Sequence, residues 1–225
     1  MAKQEKDVLL LRISKRLMLG ADFTDDLGLE RGKFGIVIYF YNYFRFTGLS
    51  IYEDFANELL NELQDSIKEY KFDFRKTICG IGLGFEYLIQ NGFIDIEDKM
   101  MREFDLQIMN YTNYKSESMD VGLKGAAYYA LSRFFADDCL LTIDYVTNLQ
   151  KSLFHLSSPD KEILRLAGQL LDITNHKRVE CPPILTLFLN NIIYDEYSFE
   201  HSVNLGIKDG LAGIGLKIMC ERHEN

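Results

Sequence analysis

A glycine-centred segment recurs along the chain at nearly constant spacing, and this repeat constrains the fold more than any other feature. The aligned glycines are Gly35, Gly80, Gly125 and Gly213, separated by 45, 45 and 88 residues. Because the last step is close to two periods, it predicts a degenerate copy around Gly168. A period of this length is too long for one helix and fits two helices with their connections. The sequence therefore predicts about five helical hairpins.

The stretches between the glycine segments have helical periodicity. In residues 52–70, apolar side chains at Phe55, Leu59, Leu60, Leu63 and Ile67 form one stripe among polar residues, as in a helix with one buried face. Similar stretches occupy residues 8–19, 98–109, 140–153 and 184–194. The glycine-led segments are apolar nearly all round, which predicts an inner layer of helices. The expected fold is all-α, in one domain over residues 1–225.

Glycine inside a helix destabilises it by roughly 1 kcal/mol relative to alanine, so Gly80, Gly82 and Gly84 in one helix need a compensating role. A missing Cβ allows close approach. The approaching group is expected to be a neighbouring helix or a loop that crosses the helix start, and the alternative is a ligand pressed against the glycines.

The charge and composition limit the classes of partner that this chain is expected to bind. The 34 acidic and 25 basic residues give a formal net charge of −9, which disfavours nucleic acid and anionic lipid as partners. No apolar window is long enough for a membrane span, and the first residues lack the pattern of an export signal. Four widely separated cysteines fit a reduced, cytoplasmic setting.

The segments Gly210-Leu-Ala-Gly213-Ile-Gly215 and Thr77-Ile-Cys-Gly80-Ile-Gly82-Leu-Gly84, repeated in phase, resemble the helix signatures of the lanthionine-synthetase-C-like family. The resemblance covers about residues 5 to 222. It implies an α/α toroid, in which inner helices form a ring, outer helices surround it, and loops before the inner helices build the site. With about five hairpins instead of the family's usual seven, the ring is either smaller or open.

The family's cyclases bind zinc through two cysteines and a histidine in W-C-x-G and C-H-G motifs, and the zinc activates a peptide thiol. This chain has no tryptophan and no Cys-His pair. Cys79 directly precedes the repeat glycine, one position from where the motifs place a cysteine, and His201 lies in another such loop without a second cysteine. Because catalytic zinc usually needs three protein ligands, no metal and no cofactor are expected.

Candidate site residues lie in the loops before the inner helices, whose N-termini favour anionic groups. The binding candidates are Glu30, Arg31, Arg75, Lys76, Lys124, His201, Asn204 and Lys208. The catalytic candidates are Asp120 and Asp209, as a carboxylate pair, and Cys79, as a thiol at a helix start. The alternatives are that Asp26, Asp120 and Asp160 cap helices, that Cys79 is a small buried apolar residue, and that Glu86 is satisfied by a neighbouring helix.

Three hypotheses follow. The first is a zinc-free, cyclase-like toroid that binds a peptide or protein, as an accessory to peptide modification. The second is an enzyme that acts on a glycan or peptide through acidic residues, and the third is an open helical scaffold. If the ring stays open, another subunit or a partner must cover the apolar faces of its first and last hairpins, and we expect homo-oligomers. These faces comprise Leu9, Leu10, Ile13, Leu17, Leu211, Ile214 and Ile218.

Overall fold

The computed structural model describes residues 3–68, 74–95, 98–156, 159–179, 183–189 and 204–223, together with residues 192, 194, 199 and 202. The predicted all-α fold class is confirmed for this part of the chain, where the β-type pairing is a single bridge between Asn113 and Gly122. The helices are α1 (Lys3–Gly20), α2 (Lys33–Thr47), α3 (Ser50–Lys68), α4 (Ile78–Gln90), α5 (Asp98–Tyr111), α6 (Leu123–Arg133), α7 (Ile143–Phe154), α8 (Lys161–Thr174), α9 (Ile184–Leu189) and α10 (Leu211–His223).

The helices form two compact units. The first unit combines Met1–Phe74 with Leu185–Asn225, and the second unit is Arg75–Ile184. In the second unit α6 packs between α4 and α8, while α5 covers α4 and α7 covers α6 and α8. This two-layer packing of hairpins is what the repeat predicts. The prediction of a single domain stays a prediction.

The first unit brings the two ends of the chain together. α10 packs against both α1 and α2, and α3 packs against α2. The apolar faces predicted to need a cover are buried in this unit, since Leu10, Ile13 and Leu17 of α1 are at most 1% exposed and Leu211 of α10 is fully buried. These faces therefore give no reason for association with another copy.

The glycine-led helices α2, α4, α6 and α10 are buried almost throughout, as their continuous apolar sequence predicts. The aromatic side chains of Tyr39, Tyr128 and Tyr129 are completely buried, and Tyr41 is 1% exposed. Each of these aromatic groups follows a repeat glycine at helical spacing. They fill the core of their units.

The fifth predicted copy of the repeat differs from the others. α8 begins at Lys161, where the Asp160 carboxylate caps the helix by accepting a hydrogen bond from the Ile163 N–H at 2.8 Å. Gly168 thus lies in mid-helix, and among the described residues no atom of a packing neighbour comes within 4 Å of the position that its Cβ would take. The predicted helix exists, and at its start the Asp160 side-chain cap replaces the glycine-containing loop of the other copies.

Among the described residues, no helix has both the length and the apolar character to cross a bilayer.

Candidate functional site

The loops before α2, α6 and α10 share one backbone arrangement. In the first of them, Asp26 lies six residues before the cap residue Gly32. Its carboxylate accepts a hydrogen bond from the Gly28 N–H at 2.7 Å, and its backbone carbonyl accepts one from the N–H of Lys33, the first residue of α2, at 2.8 Å. The same pair of bonds recurs at Ser116, with Ser118 and Leu123, and at Asn204, with Gly206 and Leu211.

The glycines are required by this arrangement. A Cβ at Gly32 would collide with the Asp26 carbonyl oxygen, and one at Gly125 or Gly213 would collide with the carbonyl of the residue six positions earlier. The common pattern begins with Asp, Ser or Asn, and Gly or Ser follows two residues later. Glycines follow six and nine residues after the first residue. Comparing the loops with one another reveals this signal, which a search for G-x-x-G segments alone misses.

A loop from the neighbouring repeat closes over the start of α4. The Asp120 carbonyl, in the loop before α6, accepts hydrogen bonds from the N–H groups of Cys79 and Gly80 at 2.8 and 3.0 Å. The Asp120 carboxylate lies against Gly80, where a side chain would collide with it. Asp120 therefore caps α4 through its backbone carbonyl and is only 9% exposed. The alternative that its carboxylate caps the following helix does not hold, because the cap residue of α6 is Gly122 and no side chain of the described residues caps that helix.

Cys79 is completely buried at the start of α4. Burial raises the pKa of its thiol to about 12, although a hydrogen bond with Thr112 partly opposes this shift. A thiol with such a pKa stays protonated at neutral pH and is a poor nucleophile. The structure therefore favours the buried apolar alternative for Cys79.

In the first unit, the predicted binding residues of two loops bind one another. The Lys208 N–H donates to the Glu30 carbonyl at 2.8 Å, and its ammonium group forms an ion pair with the Glu30 carboxylate at 2.9 Å. The Asn204 amide donates to the Lys208 carbonyl at 2.6 Å. Arg31 and Asp209, each just before a cap glycine, are exposed, and Asp209 has a left-handed φ of 54°.

The remaining candidates belong to the second unit. Arg75 and Lys76 are exposed in a short 3₁₀ helix before α4, and the Arg75 guanidinium lies 5.6 Å from the centre of the Tyr111 ring. Asp120 belongs to this unit and Asp209 to the first, so their role as a carboxylate pair stays a prediction. His201 lies outside the described residues.

Lys124 takes part in a polar cluster, hereafter the polar wall, formed by Lys124, Tyr128, Asp160, Glu162 and Arg165 on α6 and the beginning of α8. The Lys124 ammonium group lies 3.2 Å from Asp160 and 2.9 Å from Glu162. The Tyr128 hydroxyl donates to Glu162 at 2.7 Å and accepts a bond from Arg165 at the same distance. Opposite charges are thus held in fixed positions along two packed helices.

Another charged cluster lies at the other end of α4 and α6. The Arg133 guanidinium forms two hydrogen bonds with Asp138, at 2.7 and 2.6 Å, and lies 3.3 Å from Asp105 and 3.6 Å from Glu86. Arg133, Glu86 and Asp105 are all buried. Glu86 is thus satisfied by a neighbouring helix, as the alternative reading predicted.

The pKa values of Glu86 and Asp138 in this cluster are shifted in opposite directions. Burial raises the pKa of Glu86 to about 7, although the Arg133 charge and a hydrogen bond from Gln90 oppose the shift. The hydrogen bonds from Arg133 lower the pKa of Asp138. Glu86 therefore titrates near neutral pH.

Within the described part of the chain, no three His, Cys, Asp or Glu side chains are grouped so that they could hold a metal ion.

In comparisons with known proteins, no family model, no curated protein and no solved structure matches this chain.

Proposed function

We propose that this protein is a peptide-binding α/α repeat protein, built like the lanthionine-synthetase-C-like cyclases but without their zinc chemistry. It would serve as an accessory to peptide modification in the reducing environment of the cytoplasm. The observation that carries this proposal is the polar wall, which presents both charges from a rigid pair of helices.

The polar wall suits a peptide because its groups are oriented before a ligand arrives. Tyr128 is fully buried, and its hydroxyl hydrogen-bonds both Glu162 and Arg165, which orients the two charged groups. Preorganised groups lose less conformational entropy on binding. Glu162 and the exposed Arg165 offer partners for basic and acidic groups of an extended peptide.

The proposed absence of zinc chemistry rests on the sequence and on Cys79. The chain has no W-C-x-G and no C-H-G motif. Cys79, which lies closest to a motif position, is a buried thiol with a raised pKa. Elemental analysis of the purified protein is expected to find no stoichiometric zinc, and one zinc per chain would refute this part of the proposal.

Peptide binding can be tested with the full chain and a library of random peptides displayed on phage. Selected peptides are then measured by fluorescence anisotropy against the wild type and the variants Lys124→Glu and Arg165→Glu. We expect each reversal to weaken binding by about tenfold or more, equal to about 1.4 kcal/mol, because it places like charges side by side in the polar wall.

The matched control is Lys151→Glu, which reverses an exposed charge on α7 of the same unit. It is expected to leave the affinity unchanged. The polar wall is not a peptide site if no peptide is enriched. The same conclusion follows if the selected peptides bind Lys124→Glu and Arg165→Glu as tightly as the wild type.

A further inference from the structure

α1 has apolar side chains on two faces, which are buried on one face and exposed on the other. The buried face contains Leu10, Ile13 and Leu17. On the other side, Val8 is 55% exposed, Leu11 43% and Leu19 76%, and Phe23 in the following 3₁₀ helix is 86% exposed. Isolated exposed apolar residues are common on protein surfaces, whereas several along one helix indicate an interaction site.

Basic residues lie among these apolar side chains. Val8, Arg12, Lys15 and Leu19 follow one another at helical spacing, so they form a single exposed stripe. Arg12, Lys15 and Arg16 line an open groove of about 460 Å³ together with Phe199, whose ring centre lies 4.5 Å from the Arg12 guanidinium. On a chain of net charge −9, this local positive charge selects an acidic partner surface.

α3 of the same chain has the complementary surface. Leu49, just before this helix, is 55% exposed, and Ile51, in its first turn, is 60% exposed. The exposed positions that follow include Asp54, Glu58 and Glu62. The exposed face of α3 thus begins with apolar residues and continues with acidic ones. The exposed face of α1 ends with the apolar residue Leu19, which the basic residues Arg12 and Lys15 precede.

The spacing along the two helices also agrees. On α1, Lys15 lies four residues before Leu19 and Arg12 lies seven residues before it. On α3, Asp54 lies three residues after Ile51 and Glu58 lies seven residues after it. Because both helices rise about 1.5 Å per residue, an antiparallel pair that joins Leu19 to Ile51 also joins the basic residues to the acidic ones.

We propose that the exposed face of α1 docks against the exposed face of α3 from a second copy of this chain. This contact is separate from the polar wall and from the apolar faces buried between α1, α2 and α10. It joins unlike surfaces, so it closes into a pair if both copies engage each other's α3 and extends into larger assemblies if they do not.

Charge-reversed variants test the contact with the full chain alone. One variant carries Arg12→Glu and Lys15→Glu, and the other carries Asp54→Lys and Glu58→Lys. In sedimentation velocity, the wild type is expected to associate as its concentration rises, and each variant alone to associate at least about tenfold more weakly because like charges then meet. An equimolar mixture of the two variants is expected to recover association, since their charges are again complementary.

Two further variants separate this contact from general effects of charge and folding. Leu19→Gln is expected to weaken association without lowering the melting temperature of the dissociated chain, because its side chain is already mostly exposed. Lys99→Glu with Lys151→Glu, at exposed positions of α5 and α7, is expected to leave association unchanged.

Three results would overturn the proposal. The first is a wild type that sediments as a monomer at every concentration, and the second is a mixture that associates no better than either variant alone. The third is a wild-type monomer that binds vesicles of anionic lipid and loses this binding in the Arg12→Glu, Lys15→Glu variant, which would assign the α1 face to a membrane surface.

Discussion

Gly125 in α6 and Gly168 in α8 have opposite surroundings although their helices pack together. At Gly125 a Cβ would collide with the Met119 carbonyl oxygen and would lie 2.9 Å from the Cβ of Cys79. Gly168 has open space at the corresponding position. Both residues are helical, Gly125 in the first turn of α6 and Gly168 in the middle of α8, and their packing surroundings are opposite.

Gly125→Ala and Gly168→Ala therefore form a matched pair. We expect Gly125→Ala to lower the free energy of unfolding by about 1 to 3 kcal/mol, because the backbone of the preceding loop must move. Gly168→Ala is expected to raise it by about 0.5 to 1 kcal/mol, because alanine favours the helix and nothing obstructs its methyl group. Urea unfolding followed by circular dichroism measures both changes. Equal effects of the same sign would contradict the packing role of Gly125.

The sequence predicted the packing role of the repeat glycines but not the groups that approach them. Gly82 illustrates the difference, since its neighbours are Ile108 of α5 and Tyr129 of α6. The cost of glycine in a helix indicates that a close contact exists, whereas the partner comes from a distant segment that periodicity does not identify. Gly168 was assigned to the repeat by counting residues alone, and the count does not show that this glycine has no close packing neighbour among the described residues.

At the level of helices, the buried cluster around Arg133 joins the ends of α4 and α6 to α5 and to the loop that follows α6. The Asp105 carboxylate accepts hydrogen bonds from the Tyr129 hydroxyl at 2.8 Å and from the Leu140 N–H at 2.8 Å. Three carboxylates face one guanidinium, so their charges exceed that of their common partner. The raised pKa of Glu86 relieves part of this excess, since its protonated form carries no charge.

Glu86 is expected to make stability depend on pH. Its pKa is 4.5 in the unfolded chain and about 7 in the folded one, so between these values the folded state holds a proton that the unfolded state has lost. Raising the pH removes that proton, and the free energy of unfolding falls by up to about 3 kcal/mol across this window. Glu86→Gln stays neutral, so it should be more stable than the wild type at about pH 8 and equally stable near pH 4.

Thermal or urea unfolding of both proteins across this pH range measures the difference, in which the contributions of titrating groups far from Glu86 cancel. The control is Glu103→Gln, an exposed position on α5, which should not change the pH dependence. Parallel stability curves for the wild type and Glu86→Gln would contradict the proposed titration.

Sequence patterns located these helices better than they located the cluster. The predicted stretch 98–109 compares with the observed α5, Asp98–Tyr111, because the periodicity of buried residues extends over whole helices. Glu86 alone stands out in the sequence, because it lies in an apolar helix. Its partners come from α5, α6 and the loop after α6, which periodicity does not connect with α4. Their association arises only when α4, α5 and α6 pack.

At the scale of the whole chain, α10 occupies the position of a repeat that precedes α1 and α2. Gly215 of α10 lies against Tyr39 of α2 and Ile13 of α1. In the second unit, Gly82 of α4 contacts a tyrosine of α6 and an isoleucine of α5 in the same way. The predicted ring stays a prediction, and within the first unit the last glycine-led helix packs against the first hairpin as α4 packs against α5 and α6.

A circularly permuted chain tests this relation. The Lys6 ammonium group lies 2.9 Å from the Glu221 carboxylate, so the first turn of α1 is beside the last turn of α10. A Gly/Ser linker of about eight residues spans roughly 16 Å and can join these ends. New termini between Lys177 and Arg178 fall in an exposed segment after α8, where cutting the backbone is expected to cost little stability.

We expect this permutant to keep the helical content of the parent and a melting temperature within about 5 °C of it. The first unit becomes continuous in sequence, so its contacts are all retained. A second permutant, opened between the buried residues Leu166 and Ala167 of α8, is the control and should be strongly destabilised, because the cut interrupts a packed helix. If the Lys177 permutant unfolds as readily as this control, α10 does not continue the repeat into α1 and α2, and the two ends of the chain are held together for some other reason.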